Sequence, residues 1–175
     1  MKWLKLLGGS TLERFSIFIS VGTQLPFDRL VKRVEQAFVN KPEFKLIYQV
    51  GVGGYKPSSG EIFETLTPLQ YSKAMGECDV LIAHCGTGSI VSSIEFEKPL
   101  VCMPRRADFG EHRNNHQVDA AEKMDANVFY VLEDDMDLYE IVKSAIERDG
   151  VGMSGGLVSM KFVSDLDGLV LDLMR

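Results

Sequence analysis

The sequence predicts an α/β fold, a doubly wound sheet of mainly parallel strands. Three observations point there. Short apolar runs alternate with stretches of helical period, the pattern of strand–helix–strand units. The runs are almost continuously apolar, as in strands covered on both faces. Glycine-rich and polar segments follow the runs, where a doubly wound sheet with right-handed crossovers carries its ligands.

The elements follow in order. Phe15 to Val21 is a continuous apolar strand stopped by Gly22. Phe27, Leu30, Val31, Val34 and Phe38 then fall at i, i+3, i+4, i+7 and i+11, one face of a helix. Asp28 stands in its first turn, where a negative charge suits the dipole. Lys45 to Val50 is the second strand, ended by Gly51-Val52-Gly53-Gly54, and Ile62 to Thr65 a short third. Pro68 suits the first position of a helix over 68–76. Asp79 to Ala83 is a strand, and Gly86-Thr87-Gly88-Ser89 opens a helix running to about Glu97. Pro99 to Met103, helical Glu111 to Met124, strand Asn127 to Leu132 and helix Met136 to Arg148 complete a Rossmann-like plan. Gly150 to Gly156 is a break. Beyond it, Leu157, Met160, Leu166, Leu169, Val170, Leu173 and Met174 form an apolar tail that packs on its own domain or on a partner. The organisation expected is an N-terminal extension at 1–14, a domain at 15–150 and a tail at 151–175.

Composition narrows the function. The 175 residues, 45% hydrophobic and 25% charged, suit one globular domain. The net charge of −6 argues against a general nucleic-acid binder. Residues 1–56 hold 9 basic and 4 acidic side chains, and the remainder is acidic. The basic third fits either an anionic surface nearby, such as a membrane, or an ordinary solvated face. No run reaches the ~20 apolar residues of a spanning helix, and the first seven residues are too short for a signal peptide. The expected location is cytoplasmic. Cys78, Cys85 and Cys102 form no C-x-x-C pair and read as small core residues.

Three segments carry candidate chemistry. Gly22-Thr23-Gln24 either lets a polar ligand approach the backbone or makes a plain turn. His84-Cys85-Gly86-Thr87-Gly88-Ser89 joins a strand to a helix N-terminus. Its exposed N–H groups and hydroxyls suit an anion, with His84 as a further donor to a phosphate oxygen. The alternative is a tight turn at Gly86 and Gly88 with Ser89 capping the helix. Neither a Walker loop nor G-x-G-x-x-G occurs there. Pro104 to Gln117 is dense in donors. Arg105 and Arg106 have no evident packing reason and suit a carboxylate or phosphate. His116 and Gln117 suit sugar hydroxyls. The bland reading is a solvated loop with local ion pairs. Cys85 beside His84 forms no ordered nucleophile set. His112 and His116 are spaced i, i+4 without the H-E-x-x-H pattern of a metal site. Two functions follow: a transferase with a nucleotide-activated donor, or a non-catalytic nucleotide or nucleotide-sugar sensor.

Taken jointly, four motifs are recognisable. Val21 to Leu30, His84 to Ile90, Lys98-Pro99-Leu100 and Pro104-Arg105-Arg106 through Glu111 to Gln117 resemble the C-terminal domain of glycosyltransferase family 28 over about residues 15–148. The nearest subgroup is the PssE-like exopolysaccharide glycosyltransferases, similar to the soluble catalytic subunit of the dolichol-linked N-acetylglucosamine transferase. The resemblance implies one half, the nucleotide-sugar-binding half, of a GT-B enzyme. Such an enzyme transfers a hexose, often glucuronate in this subgroup, from a UDP-sugar to a polyprenyl-diphosphate-linked acceptor with inversion. It needs no cofactor and no obligatory metal. The acceptor half is usually a membrane-anchored PssD-like subunit, which would carry the general base and hold this chain at the cytoplasmic face of the membrane. The resemblance also implies that His84, Gly86, Thr87, Gly88 and Ser89 hold the diphosphate and that Gly22 and Thr23 face the same cleft. His116 and Gln117 would touch the donor sugar, and Phe63 to Thr65 border the uracil. Arg105, Arg106 and Arg113 would suit a uronate or the phosphates. Related sequences carry a ribose-binding Glu where this chain has Ser92; Glu95 stands one turn further on.

Overall fold

The computed structural model describes residues 14–122, 124 and 129–147. Among these residues six strands form one sheet: β1 (Phe15–Ser20), β2 (Phe44–Gln49), β3 (Glu61–Phe63), β4 (Val80–His84), β5 (Leu100–Met103) and β6 (Tyr130–Val131). Their order is β3-β2-β1-β4-β5-β6, and every pairing is parallel. The α-helices among the described residues are α1 (Asp28–Phe38), α2 (Pro68–Glu77), α3 (Thr87–Glu95), α4 (His116–Glu122) and α5 (Leu138–Glu147). This is the Rossmann-like doubly wound sheet that the alternating pattern predicts.

The period-two alternation of the central strand divides the core. Phe15, Ile17 and Ile19 face one layer, which α1 supplies with Leu30, Val31, Val34 and Phe38 and α5 with Leu138, Val142, Ala145 and Ile146. Phe18 faces the opposite layer, with Met75 of α2, Ile90 of α3, Ala121 of α4 and all three cysteines. Cys78, Cys85 and Cys102 are buried free thiols, as their small apolar role requires.

Local signals explain most boundaries. Pro68 opens α2 at its first position, and Thr67 caps it in a reciprocal capping box with Gln70. Asp28 stands in the first turn of α1 and accepts the Tyr55 N–H at 2.8 Å. The helix expected from Glu111 begins only at His116. Residues 111–115 are instead bent, because the Glu111 carboxylate is committed to Arg29 and to the Arg106 N–H, and the Asn115 side chain takes the Ala107 N–H. Apart from Arg14, the N-terminal extension lies outside the described residues, as do residues 148–175 with the tail and the break before it.

Candidate functional site at the switch point of the sheet

β1 and β4 are neighbours at the centre of the sheet, and their connections leave to opposite faces, β1 into α1 and β4 into α3. A crevice opens beyond the strand ends at such a reversal. Here it is a cleft of about 660 Å³, a volume suited to a nucleotide-sized ligand. Ser20 and Gln49, at the ends of β1 and β2, line its floor, with Ser20 Oγ donating to Gln49 Oε1 at 2.9 Å. The loop Gly22–Leu25 forms one wall and the first turn of α3 another. Leu66, Pro68, Tyr71 and Ser72, in and before α2, form a third, and Arg105, His112 and Gln117 a fourth.

His84 organises the centre. Its ring lies against two glycines. A Cβ on Gly22, which has φ +82°, would come within 2.8 Å of His84 Cε1, and one on Gly86 would collide with Nε2. The imidazole therefore requires both glycines, and at Gly22 the positive φ requires it too. Ser89 Oγ lies 3.4 Å from Nδ1. Burial, reinforced by the charge of Arg105, pushes the His84 pKa down to about 4, so the ring is neutral near pH 7.

Gly86, not Ser89, is the N-cap of α3, and it offers no side-chain cap bond. The first-turn N–H groups at Thr87, Gly88 and Ser89 thus open onto the cleft without a capping side chain, and these residues line it. An anion satisfies such groups and interacts favourably with the dipole. A Cβ on Gly88 meets nothing within 4 Å.

Arg105 has a packing reason after all. It is 3% exposed and stacks over Phe27, with its Cζ 4.7 Å from the ring centroid. Its Nη atoms donate to the carbonyls of Val21, Leu25, Pro26 and Glu111. Arg106 points elsewhere, to Asp134 at 3.4 Å and to the Phe109 ring, and Arg113 is exposed outside the cleft lining. Gln117 lines the cleft and accepts the Arg105 N–H at 3.2 Å. His116 does not line it; its ring is half-exposed, 3.9 Å from Asp119, and His112 takes the expected place. Phe63 to Thr65 are likewise replaced in the lining by Leu66, Pro68 and Tyr71.

The α2 wall is the part that sequence reasoning missed. Tyr71 packs edge-on to Phe18 at 5.4 Å. Burial pushes its hydroxyl pKa up against the hydrogen bonds it makes with Ser92 and Ser20. The available signal was position: Pro68 and Thr67 open a helix immediately after the third strand, hence at the ligand-bearing edge. Ser92 and Glu95 both line the far end of the α3 wall. Among the described residues no three His, Cys, Asp or Glu side chains group as metal ligands. No helix among them is long and apolar enough to cross a membrane.

By fold, this is an α/β domain of the Rossmann-like class. The family model for the glycosyltransferase family 28 C-terminal domain matches residues 16–147, and the chain belongs to that family. It is 34% identical over 126 residues to the UDP-N-acetylglucosamine transferase subunit ALG13 of Mus musculus, covering 65% of this chain and 10% of the relative. The Homo sapiens ALG13 is 32% identical over 127 residues, covering 65% and 11%. The chain thus spans about a tenth of the length of these curated relatives. The solution structure of ALG13 superimposes with a TM-score of 0.52 at 22% identity, covering 79% of this chain and 88% of that one. Os79 from O. sativa, solved in complex with UDP, gives 0.54 at 19% identity, covering 84% and 33%. The glycosyltransferase SnogD from Streptomyces nogalater gives 0.54 at 13% identity, covering 84% and 39%. These likenesses define the fold, and the chain matches only 33% of Os79 and 39% of SnogD.

Proposed function

We propose that this chain is the UDP-sugar-binding subunit of a two-component inverting glycosyltransferase. In this reading a sugar passes to a polyprenyl-diphosphate-linked acceptor held by a membrane-anchored, PssD-like partner, in polysaccharide biosynthesis at the cytoplasmic face of the membrane. The observation that carries the reading is the uncapped N-terminus of α3 opening into the switch-point cleft beside a neutral His84. The diphosphate sits on the Thr87 to Ser89 N–H groups, with Gly22 and Thr23 opposite. The base lies against Leu66, Pro68 and Tyr71. Glu95, the one carboxylate in the cleft lining among the described residues, takes the ribose hydroxyls. Helical side chains lean toward the N-terminus, so a carboxylate one turn beyond Ser92 reaches back over that small residue. His112 and Gln117 face the sugar, glucuronate or another hexose. The transfer uses no obligatory metal. The likeness to ALG13, a UDP-N-acetylglucosamine transferase subunit, supports both the nucleotide sugar and the partner.

Calorimetric titration with UDP tests the site. Gly88→Val places its side chain in open space within the cleft, so the fold tolerates it while the diphosphate position is blocked. The wild type binds UDP, and Gly88→Val weakens binding at least tenfold with unchanged circular dichroism. Equal affinity of the two proteins refutes this placement.

A further inference from the structure

We propose that Arg105 is a positioning residue: its guanidinium pins the β1–α1 loop, residues 21–26, by the loop's own carbonyls and fastens it to the segment entering α4. Only its consequence for ligand binding rests on the nucleotide-sugar reading; the pin itself does not.

The hydrogen-bond inventory carries the argument. One terminal nitrogen donates to Val21 O at 2.8 Å and Leu25 O at 2.7 Å. The other donates to Pro26 O at 2.8 Å and Glu111 O at 3.2 Å. All four Nη hydrogens are thereby used on backbone, and the Nε–H alone remains. A group this occupied, and 3% exposed, has no face left with which to grasp a carboxylate or phosphate in the bidentate manner of a ligand-binding arginine.

The loop needs such a pin. It has no helix or strand of its own, and it carries Thr23 and, at positive φ against the His84 ring, Gly22. The planar fork matches carbonyls arriving from two directions, and the Phe27 ring closes one face of the guanidinium. A lysine offers three donors on one nitrogen and cannot span both carbonyl pairs.

The far side of the pin is itself anchored. Glu111 receives Arg29 of α1 at both oxygens, at 2.7 and 2.8 Å, and Arg29 also reaches Pro104 O at 2.9 Å. Two walls of the cleft, Gly22–Leu25 and His112 with Gln117, are so joined into one body through residues that do not need to touch a ligand. Glu111 is paired with Arg29, and no ion pair among the described residues joins Arg105 directly; the nearby Glu111 charge offsets part of what burial costs the Arg105 guanidinium.

The test uses the whole chain with and without UDP. Backbone ¹⁵N relaxation gives order parameters for Thr23 to Leu25 near the rigid value of ~0.85 in the wild type. They fall below ~0.6 in Arg105→Lys, which keeps stem and charge but loses the fork. The UDP dissociation constant rises at least tenfold in the same variant. A measurement on the wild type alone covers the case in which the variant does not fold. The four Arg105 Nη–H resonances are separately resolved at low temperature and hold their positions on UDP addition. Unchanged order parameters in Arg105→Lys, loosened order with unchanged UDP affinity, or Nη–H resonances that move strongly with UDP each overturn the proposal. A wild type that does not bind UDP refutes the nucleotide-sugar reading, and the order parameters still decide the pin.

Discussion

His84 ends β4 in a setting that keeps it uncharged. Its pKa of about 4 lies below the ordinary 6.5, chiefly because burial penalises the charged ring. Between those values the unfolded chain binds the proton more readily than the folded one, so stability rises with pH through this range and is lost as pH falls toward 4. A displacement of this size corresponds to roughly 3 kcal/mol at most. Urea denaturation at a series of pH values from 7 to 4 should therefore show a decline in the wild type that is flatter in His84→Gln. Equal slopes would assign the acid sensitivity elsewhere. At this scale the sequence was partly legible. It marked Gly22, His84 and Gly86 as candidates by their places after strands. It did not reveal that both glycines make room for one imidazole, because Gly22 and His84 meet only through the β1–β4 pairing. Arg105 reads wrongly for a related cause: three of the four carbonyls that bind it belong to the β1–α1 loop, 79 to 84 residues away in the chain, and a buried guanidinium looks like a spare cation when its acceptors are backbone.

Strand and helix identities were legible throughout, since each rests on a local period and a local stop signal. The failures were at ends whose side chains are committed elsewhere. The spacing from Glu111 reads as helix, but a carboxylate locked to Arg29 holds five residues out of it. The α2 cap is written in the sequence, with Thr67 and Gln70 at capping-box spacing, but Pro68 alone marks the helix start in the reading above. Its bonds are plain in the fold: the Gln70 N–H reaches Thr67 Oγ1 at 3.3 Å, and the Thr67 N–H reaches Gln70 Oε1 at 2.9 Å. Thr67→Ala should cost about 1 kcal/mol of stability, seen as a lower denaturation midpoint. Because Pro68, Tyr71 and Ser72 of the same helix wall the cleft, the variant should also bind UDP more weakly than its stability loss alone predicts. A stability loss with unaltered UDP affinity would separate α2 from the base-binding role.

For the whole molecule, the sheet order puts one cleft at one reversal, and that was legible from the alternation of elements alone. The occupant of the facing side was not, because a parallel α/β half carries no record of what closes over it. An inverting transfer needs a base within about 3 Å of the acceptor hydroxyl, and the family resemblance implies that the partner carries that base. Purified chain, UDP-sugar and a polyprenyl-diphosphate-linked acceptor should give no transfer until the partner is co-expressed. Full turnover by the chain alone would bring the base within this sequence, with His84, Glu111 and His116 the first residues to replace. Binding of UDP with no turnover even beside the partner would favour a nucleotide sensor.

The central position of β1 also bears on biosynthesis. Among the described residues the strand made first lies in the middle of the sheet, with β2 on one side and β4 on the other. While the chain is being translated, β2 can pair with β1 soon after it emerges. The opposite edge stays open until β4 appears, about 60 residues after β1 ends, a wait of roughly 3–12 seconds at ordinary elongation rates. During that interval Ile17, Phe18 and Ile19 present an unpaired apolar edge, the kind of surface to which another nascent chain adds. Slowed elongation between β2 and β4 should therefore lower the yield of soluble protein, and holdase chaperones should bind the ribosome-bound intermediate until Val80 to Ala83 have paired with β1.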